Sequence, residues 1–315
     1  MVTKPRSKLG TKSTSSRVGT SVAFQGVQGA YSEQAARLVV LSPKNASDKT
    51  DKGYSMQTDL GNGVSLKYEI HGSGYPLILV TGFGATLDLW SSEFIQPMAK
   101  LFQVITFDNR GIGGSMAPPA QITMPLYASD VIALMDLLGI AKAHLLGISM
   151  GGMIAQQVAV SYPNRVSKLI LGATTCSSKL IRKNPRIVSL VLLKWMPRFA
   201  MRAMLSKDFI NTHPQSVDRL AQVARDHPAS TVAIKQQSSA VKHYDLADQV
   251  TAIRVPTLIL AGTDDQIINH ENSDILAKKI RSSHLIKYPG VGHLFPLERR
   301  EESTTAIVKF LTQPD

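Results

Sequence analysis

Ser149 stands in the string Gly147-Ile148-Ser149-Met150-Gly151, with an apolar run (His144–Ile148) before it and helical periodicity after it. A G-x-S-x-G pattern in that setting sets a serine on a sharp strand-to-helix turn. The flanking glycines permit the turn and keep bulk away, so the hydroxyl projects from the strand's carboxyl end. A serine hydroxyl is a weak nucleophile at neutral pH; to attack a carbonyl it needs a base, and the base needs a carboxylate to orient it. Of the eight histidines, His293 is best placed, in the Gly-rich loop Tyr288-Pro-Gly-Val-Gly-His293 after the last apolar run. His144 begins a strand, His213, His227 and His243 fall in a helical stretch, and His71, His270 and His284 have no comparable context.

The carboxylate is sought in a loop after another strand, and Leu258-Ile-Leu-Ala-Gly-Thr-Asp264-Asp265 offers two. Asp265 is preferred because it lies one residue further from the strand and reaches a neighbouring loop more easily; Asp264 then faces solvent or bonds within the turn. The order nucleophile, acid, histidine is that of a serine triad on an open α/β sheet. The tetrahedral intermediate of acyl transfer requires fixed N–H donors. Met150 supplies one, following the nucleophile at a helix N-terminus. Gly82-Phe83-Gly84, after the Leu77–Thr81 run, supplies the other, with the Phe83 N–H as donor and its side chain as a pocket wall.

These residues need a scaffold, and the hydrophobic pattern outlines one. Tyr54–Leu60 and Val64–His71 flank the hairpin signal Gly61-Asn62-Gly63. Apolar runs at Leu77–Thr81, Val104–Asp108, His144–Ile148, Leu169–Ala173, Thr257–Ala261 and Leu285–Tyr288 then alternate with helical stretches at Asp88–Lys100, Leu126–Leu138, Gly151–Tyr162, Asn272–Ile280 and Glu298–Leu311. Such alternation predicts an α/β fold with a mostly parallel sheet covered by helices on both faces. It breaks at about 176–250, where helical segments separated by Pro185, Pro197, Pro214 and Pro228 predict a helical cap inserted between two strands. The cap's first part carries Lys179, Arg182, Lys183, Arg186, Lys194, Arg198, Arg202 and Lys207 before its first acid, interleaved with apolar residues that include Trp195. We read the apolar residues, Trp195 among them, as pocket lining and the charges as solvated. Contact of this basic face with an anionic membrane surface, or guidance of an acidic substrate, is the less favoured alternative.

Composition bounds the rest. The chain has 315 residues, 43% hydrophobic and 18% charged, within the range of globular domains. No apolar run is long enough for a transmembrane helix. The single cysteine, Cys176, excludes an intramolecular disulfide and a Cys-rich zinc module, and suits a reducing compartment. Net charge is +12, but residues 1–55 hold nine Lys/Arg against Glu33, Asp48 and Asp51, a net of +6, so the remaining +6 is spread over 260 residues. That argues against nucleic acid as a partner. Residues 1–53 read as a basic, Ser/Thr-rich extension with the composition of an organelle transit peptide or a disordered tail. The expected location is plastid or mitochondrion in the first case and cytoplasm in the second.

Two resemblances add to this reading. Val22–Ala36 (VAFQGVQGAYSEQAA) is similar to the opening strand, loop and helix of prephenate or arogenate dehydratases, but nothing of that family's remaining catalytic domain follows. From about Gly53 onward the chain resembles the α/β-hydrolase superfamily through TGFG (Thr81–Gly84), FDNRGIGGS (Phe107–Ser115), GISMGG (Gly147–Gly152), AGTDD (Ala261–Asp265) and PGVGH (Pro289–His293). The resemblance implies an eight-stranded sheet, a helical cap and a Ser149–Asp265–His293 triad. Thr81 departs from the pattern, since many relatives carry histidine before the oxyanion glycine. Asp108 and Arg110 are read as loop braces, and neither Gly-x-Gly string completes a dinucleotide-binding motif.

The expectation is a serine hydrolase acting on a carboxylic ester, thioester or lactone with an apolar acyl group, without metal or organic cofactor. Alternatives are a C–C bond hydrolase or acyltransferase of the same fold, or a low-turnover ligand receptor. Epoxide hydrolysis and dehalogenation would need aspartate at position 149.

Overall fold

The computed structural model describes residues 54–61, 63–118, 120–181 and 197–314, all within the unit Ala36–Asp315. The extension at 1–53 with its dehydratase-like stretch, Asn62 and Trp195 lie outside the described residues.

The elements run β1 (Tyr54–Gly61), β2 (Val64–His71), β3 (Tyr75–Val80), α1 (Ser92–Ala99), β4 (Phe102–Phe107), α2 (Met124–Leu137), β5 (Ala143–Ile148), α3 (Met150–Ser161) and β6 (Val166–Gly172). After β6 come α4 (Pro197–Ala203), α5 (Lys207–Thr212), α6 (Pro214–Asp226) and α7 (Thr231–Lys242). The fold closes with β7 (Thr257–Gly262), α8 (Glu271–Lys279), β8 (Ser283–Tyr288), α9 (Phe295–Glu298) and α10 (Arg300–Thr312). The eight strands form one sheet in the order β1-β2-β4-β3-β5-β6-β7-β8. β1, β2 and β4 pair antiparallel and every later pairing is parallel. Gly61 and Gly63 hold the β1–β2 turn with positive φ of 85° and 73°, a region costly for other residues.

The continuous apolar strands follow from burial on both faces. In β3, Ile78 and Val80 pack beneath α2 and α3 with Tyr127, Val131, Ile154 and Val158. Their neighbours Leu77 and Leu79 join Phe94 and Met98 of α1 and Ile307 of α10 on the other face. Each such fully buried aliphatic side chain contributes about 1.5–3 kcal/mol relative to exposure.

Two helical stretches differ from the sequence expectation. Within Asp88–Lys100 only a single 3-10 turn, Leu87–Leu89, precedes α1, because Ser91 leaves the helical region and caps α1, its Oγ accepting the Phe94 N–H at 3.3 Å. Glu298–Leu311 is broken at Arg299 (φ −131°, ψ 52°) into α9 and α10. In the cap, Pro214 opens a helix rather than merely separating two, since a first-turn proline forfeits no helical hydrogen bond. Among the described residues between β6 and β7 there are helices and one isolated bridge, Ser177–Asp245, but no strand. Arg198, Arg202 and Lys207 face water while Met201 and Met204 turn inward. No helix among the described residues is long and apolar enough to cross a membrane.

Candidate active site

Ser149 joins β5 to α3 at φ 58°, ψ −123°, one of two non-glycine residues with positive φ among those described. A conformation of this kind costs about 1–3 kcal/mol and persists only where the surroundings fix it. Here they do. The Ser149 N–H donates to the Gly172 carbonyl at 2.9 Å, and the Thr174 hydroxyl donates to the Ser149 carbonyl at 2.7 Å. A Cβ on Gly147 would collide with the Gly151 carbonyl, and one on Gly151 with the Val80 carbonyl. Both glycines of the pattern are therefore required by close backbone approach, and the turn they permit leaves Ser149 part-exposed among buried neighbours.

Asp265 and His293 come from the loops after β7 and β8. The His293 Nδ1–H donates to Asp265 Oδ2 at 2.7 Å, with both side chains buried. The other carboxylate oxygen accepts the Ile267 and Ile268 N–H groups at 2.8 and 2.9 Å. Since a carboxylate only accepts, Nδ1 carries the proton, which in a neutral imidazole leaves the Nε2 lone pair for a substrate or serine proton. Asp264 is exposed and stays within its own turn, where the Thr263 hydroxyl reaches it at 3.4 Å. Ser149, His293 and Phe83 line one cavity of about 210 Å³, walled by Trp90, Phe94, Met201, Met204, Leu220 and Val223. A second cavity of about 200 Å³ also borders Ser149 and Phe83, with otherwise different walls that include Met150, Met153, Ile181, Val241, Ile267 and Ile268.

The loop Gly82–Gly84 lies against the serine: a Cβ on Gly82 would stand 3.3 Å from the Ser149 Cβ. Among the described residues the Phe83 N–H takes no acceptor. Met150 opens α3, so its N–H has no partner within the helix. Thr81 occupies the position where histidine is common, and its carbonyl and hydroxyl both accept the Asn109 amide, at 3.2 and 3.1 Å. Asp108 is fully buried and accepts the N–H groups of Leu87 (2.7 Å) and Gly114 (2.8 Å), bracing the loop beyond. Burial pushes its carboxyl above the ordinary value. Arg110 pairs with buried Asp130.

Two buried polar residues that the sequence reading did not single out tie the cap to this machinery. Glu298 accepts the N–H of Gly292, the residue before His293, and the N–H of Ser206 in the cap, both at 3.0 Å, as well as the Ser206 hydroxyl. Burial raises its carboxyl. Gln237 on α7 accepts the Gly84 N–H at 2.7 Å. The signal available for Gln237 was its place on an apolar helical stripe with Ala233 and Ala240. Trp90, Met201 and Met204 line the cavity of Ser149 and His293; Trp195, expected as pocket lining, lies outside the described residues.

A serine on a strained elbow, beside a histidine oriented by a carboxylate and free N–H groups, is an arrangement able to attack a carbonyl and stabilise the resulting oxyanion. The chain is 30% identical over 247 residues to a poly(3-hydroxyalkanoate) depolymerase of Ectopseudomonas oleovorans, covering 76% of this chain and 84% of the relative. Its fold matches that of a thermophilic esterase from Thermogutta terrifontis at 30% identity and TM-score 0.68, covering 79% and 93% of the two chains. An enol-lactonase from Burkholderia xenovorans LB400 matches at 26% identity and TM-score 0.72, covering 81% and 99%. Residues 75–299 match the family described as the alpha/beta hydrolase fold, and the chain belongs to that family as a hydrolase.

Proposed function

We propose that the protein cleaves a carboxylic ester, thioester or lactone with an apolar acyl group through an acyl-enzyme intermediate. The observation that carries this reading is the 2.7 Å contact of buried Asp265 with His293, which lines one cavity together with the strained Ser149. Ser149 Oγ attacks the carbonyl carbon as His293 Nε2 takes its proton, and the Phe83 and Met150 N–H groups receive the charge on oxygen. On collapse, His293 returns the proton to the leaving alcohol, thiol or lactone oxygen. Water, deprotonated by the same nitrogen, then releases the acid and restores the serine.

The two cavities suggest how the substrate divides. A leaving group must lie within reach of His293, which lines the Trp90 cavity. The acyl chain then occupies the other arm, walled by Met153, Val241, Ile267 and Ile268. Turnover of nitrophenyl esters and acyl thioesters of increasing chain length, by wild type and Ser149→Ala, tests the reading. Saturable turnover lost in the variant supports it; equal turnover by both refutes it.

A second reading follows from the same two arms. Two apolar arms that both border the nucleophile accommodate an internal ester bond of a hydroxyalkanoate oligomer, and the Ectopseudomonas relative is named for such a polyester. Release of shorter oligomers from 3-hydroxyoctanoate trimers by wild type would favour it.

A further inference from the structure

The loop that presents Phe83 is fixed at both ends, by different parts of the chain. Gly82 abuts Ser149. Gly84, at a positive φ of 65°, gives its N–H to Gln237 Oε1 at 2.7 Å, across 153 residues of sequence. Gln237 is fully buried. Between these points the Phe83 side chain packs on Ile112 and on Ala229, Ala233 and Ile234 of the cap. Helix α7 is itself held at its start by Ser230, whose Oγ accepts the Ala233 N–H at 3.0 Å, and by Gln236, whose amide reaches the Ala120 carbonyl at 3.0 Å.

Phe83 and Gly84 offer two adjacent N–H groups on the loop that abuts Ser149. The Gly84 group is consumed by Gln237 and the Phe83 group is free. We infer that Gln237 is a positioning residue: by engaging Gly84 it selects the Phe83 N–H as oxyanion donor and holds it in place, so that the cap builds part of the catalytic geometry. The inference rests on the acyl-transfer reading above. Without the Gln237 oxygen, a buried Gly84 N–H would be left unpaired and the loop would rotate to satisfy it. The donor would then move away from the position where charge develops, an error felt in the transition state more than in the ground state.

The test compares wild type with Gln237→Met, which fills similar volume without an acceptor, Gln237→Asn, whose amide is one methylene too short, and Gln237→Glu, which keeps an acceptor oxygen. kcat and KM for nitrophenyl butyrate, Ki for an alkyl trifluoromethyl ketone and the melting temperature are measured for each. We expect Gln237→Met and Gln237→Asn to lose about 10- to 100-fold in kcat with KM changed less than about threefold, and the ketone to weaken by a matching factor. Gln237→Glu should recover most of the loss. If Gln237→Met fails to fold, Gln237→Asn decides. A folded Met or Asn variant with kcat and Ki within about twofold of wild type overturns the inference, as does a loss that appears in KM alone. A wild type that is not labelled by fluorophosphonate at Ser149 removes the acyl-transfer reading itself, a result distinct from an inert Gln237 in an active enzyme.

Discussion

The carboxylate of Asp265 divides its two oxygens between tasks: one receives the His293 Nδ1–H at 2.7 Å, the other the backbone N–H groups of Ile267 and Ile268. The second set fixes the carboxylate, so the first can fix the imidazole. A side chain held this way cannot rotate to be replaced by its exposed neighbour. Asp265→Asn should therefore lower kcat roughly ten-thousand-fold by favouring the wrong imidazole tautomer, whereas Asp264→Asn should stay within about twofold. Steady-state kinetics on one ester separates the two.

Gly151, two residues after Ser149, is predicted to be irreplaceable for a steric reason. A Cβ at Gly151 meets the carbonyl of Val80, inside the central strand β3, where the backbone cannot yield. Gly151→Ala should cost about 3 kcal/mol and lower the melting temperature by roughly 6–12 °C. Thermal unfolding by circular dichroism measures it.

Glu298 makes a prediction in pH. Its carboxyl is raised above the ordinary 4.5 chiefly because burial penalises the charged form, more than the Ser206 and Gly292 donors compensate. A group whose folded value is raised contributes stability that is present below 4.5 and lost as pH climbs through the folded value. Glu298→Gln, neutral at every pH, should then match wild type in melting temperature near pH 4 and exceed it by a few degrees at pH 8. A difference that shrinks with rising pH would contradict the assignment.

The two arms of the cleft should respond separately. Met153→Trp, in the arm assigned to the acyl chain, should shorten the longest nitrophenyl ester turned over while leaving the alcohol preference intact. Leu220→Trp, in the arm that holds His293, should discriminate against bulky alcohols at constant acyl length. A matrix of acyl and alcohol lengths against both variants checks the assignment.

How much of this was legible in the sequence depends on the range of each contact. The elbow at Ser149 was readable because its requirements are local: two glycines, a strand before and a helix after. The strands were readable because burial on both faces of the sheet makes them uninterrupted apolar runs, as in Leu77–Val80. Of the two aspartates, reach alone favours Asp265, and the structure brings Asp265 to His293. Helix ends were less legible: Ser91 and Arg299 interrupt otherwise helical patterns through backbone geometry that periodicity does not encode. Gln237 and Glu298 were not found, because their partners lie 153 and 92 residues away and only the docked cap brings Gly84 and Ser206 to them.

The proposed mechanism stands on Ser149 as a nucleophile activated by its surroundings. The most direct measurement is intact-mass spectrometry after exposure to a fluorophosphonate, on wild type and Ser149→Ala. One stoichiometric adduct is expected on wild type, mapped to Ser149 by peptide analysis, and none on the variant. An unlabelled wild type, or an adduct that persists in Ser149→Ala, would contradict it.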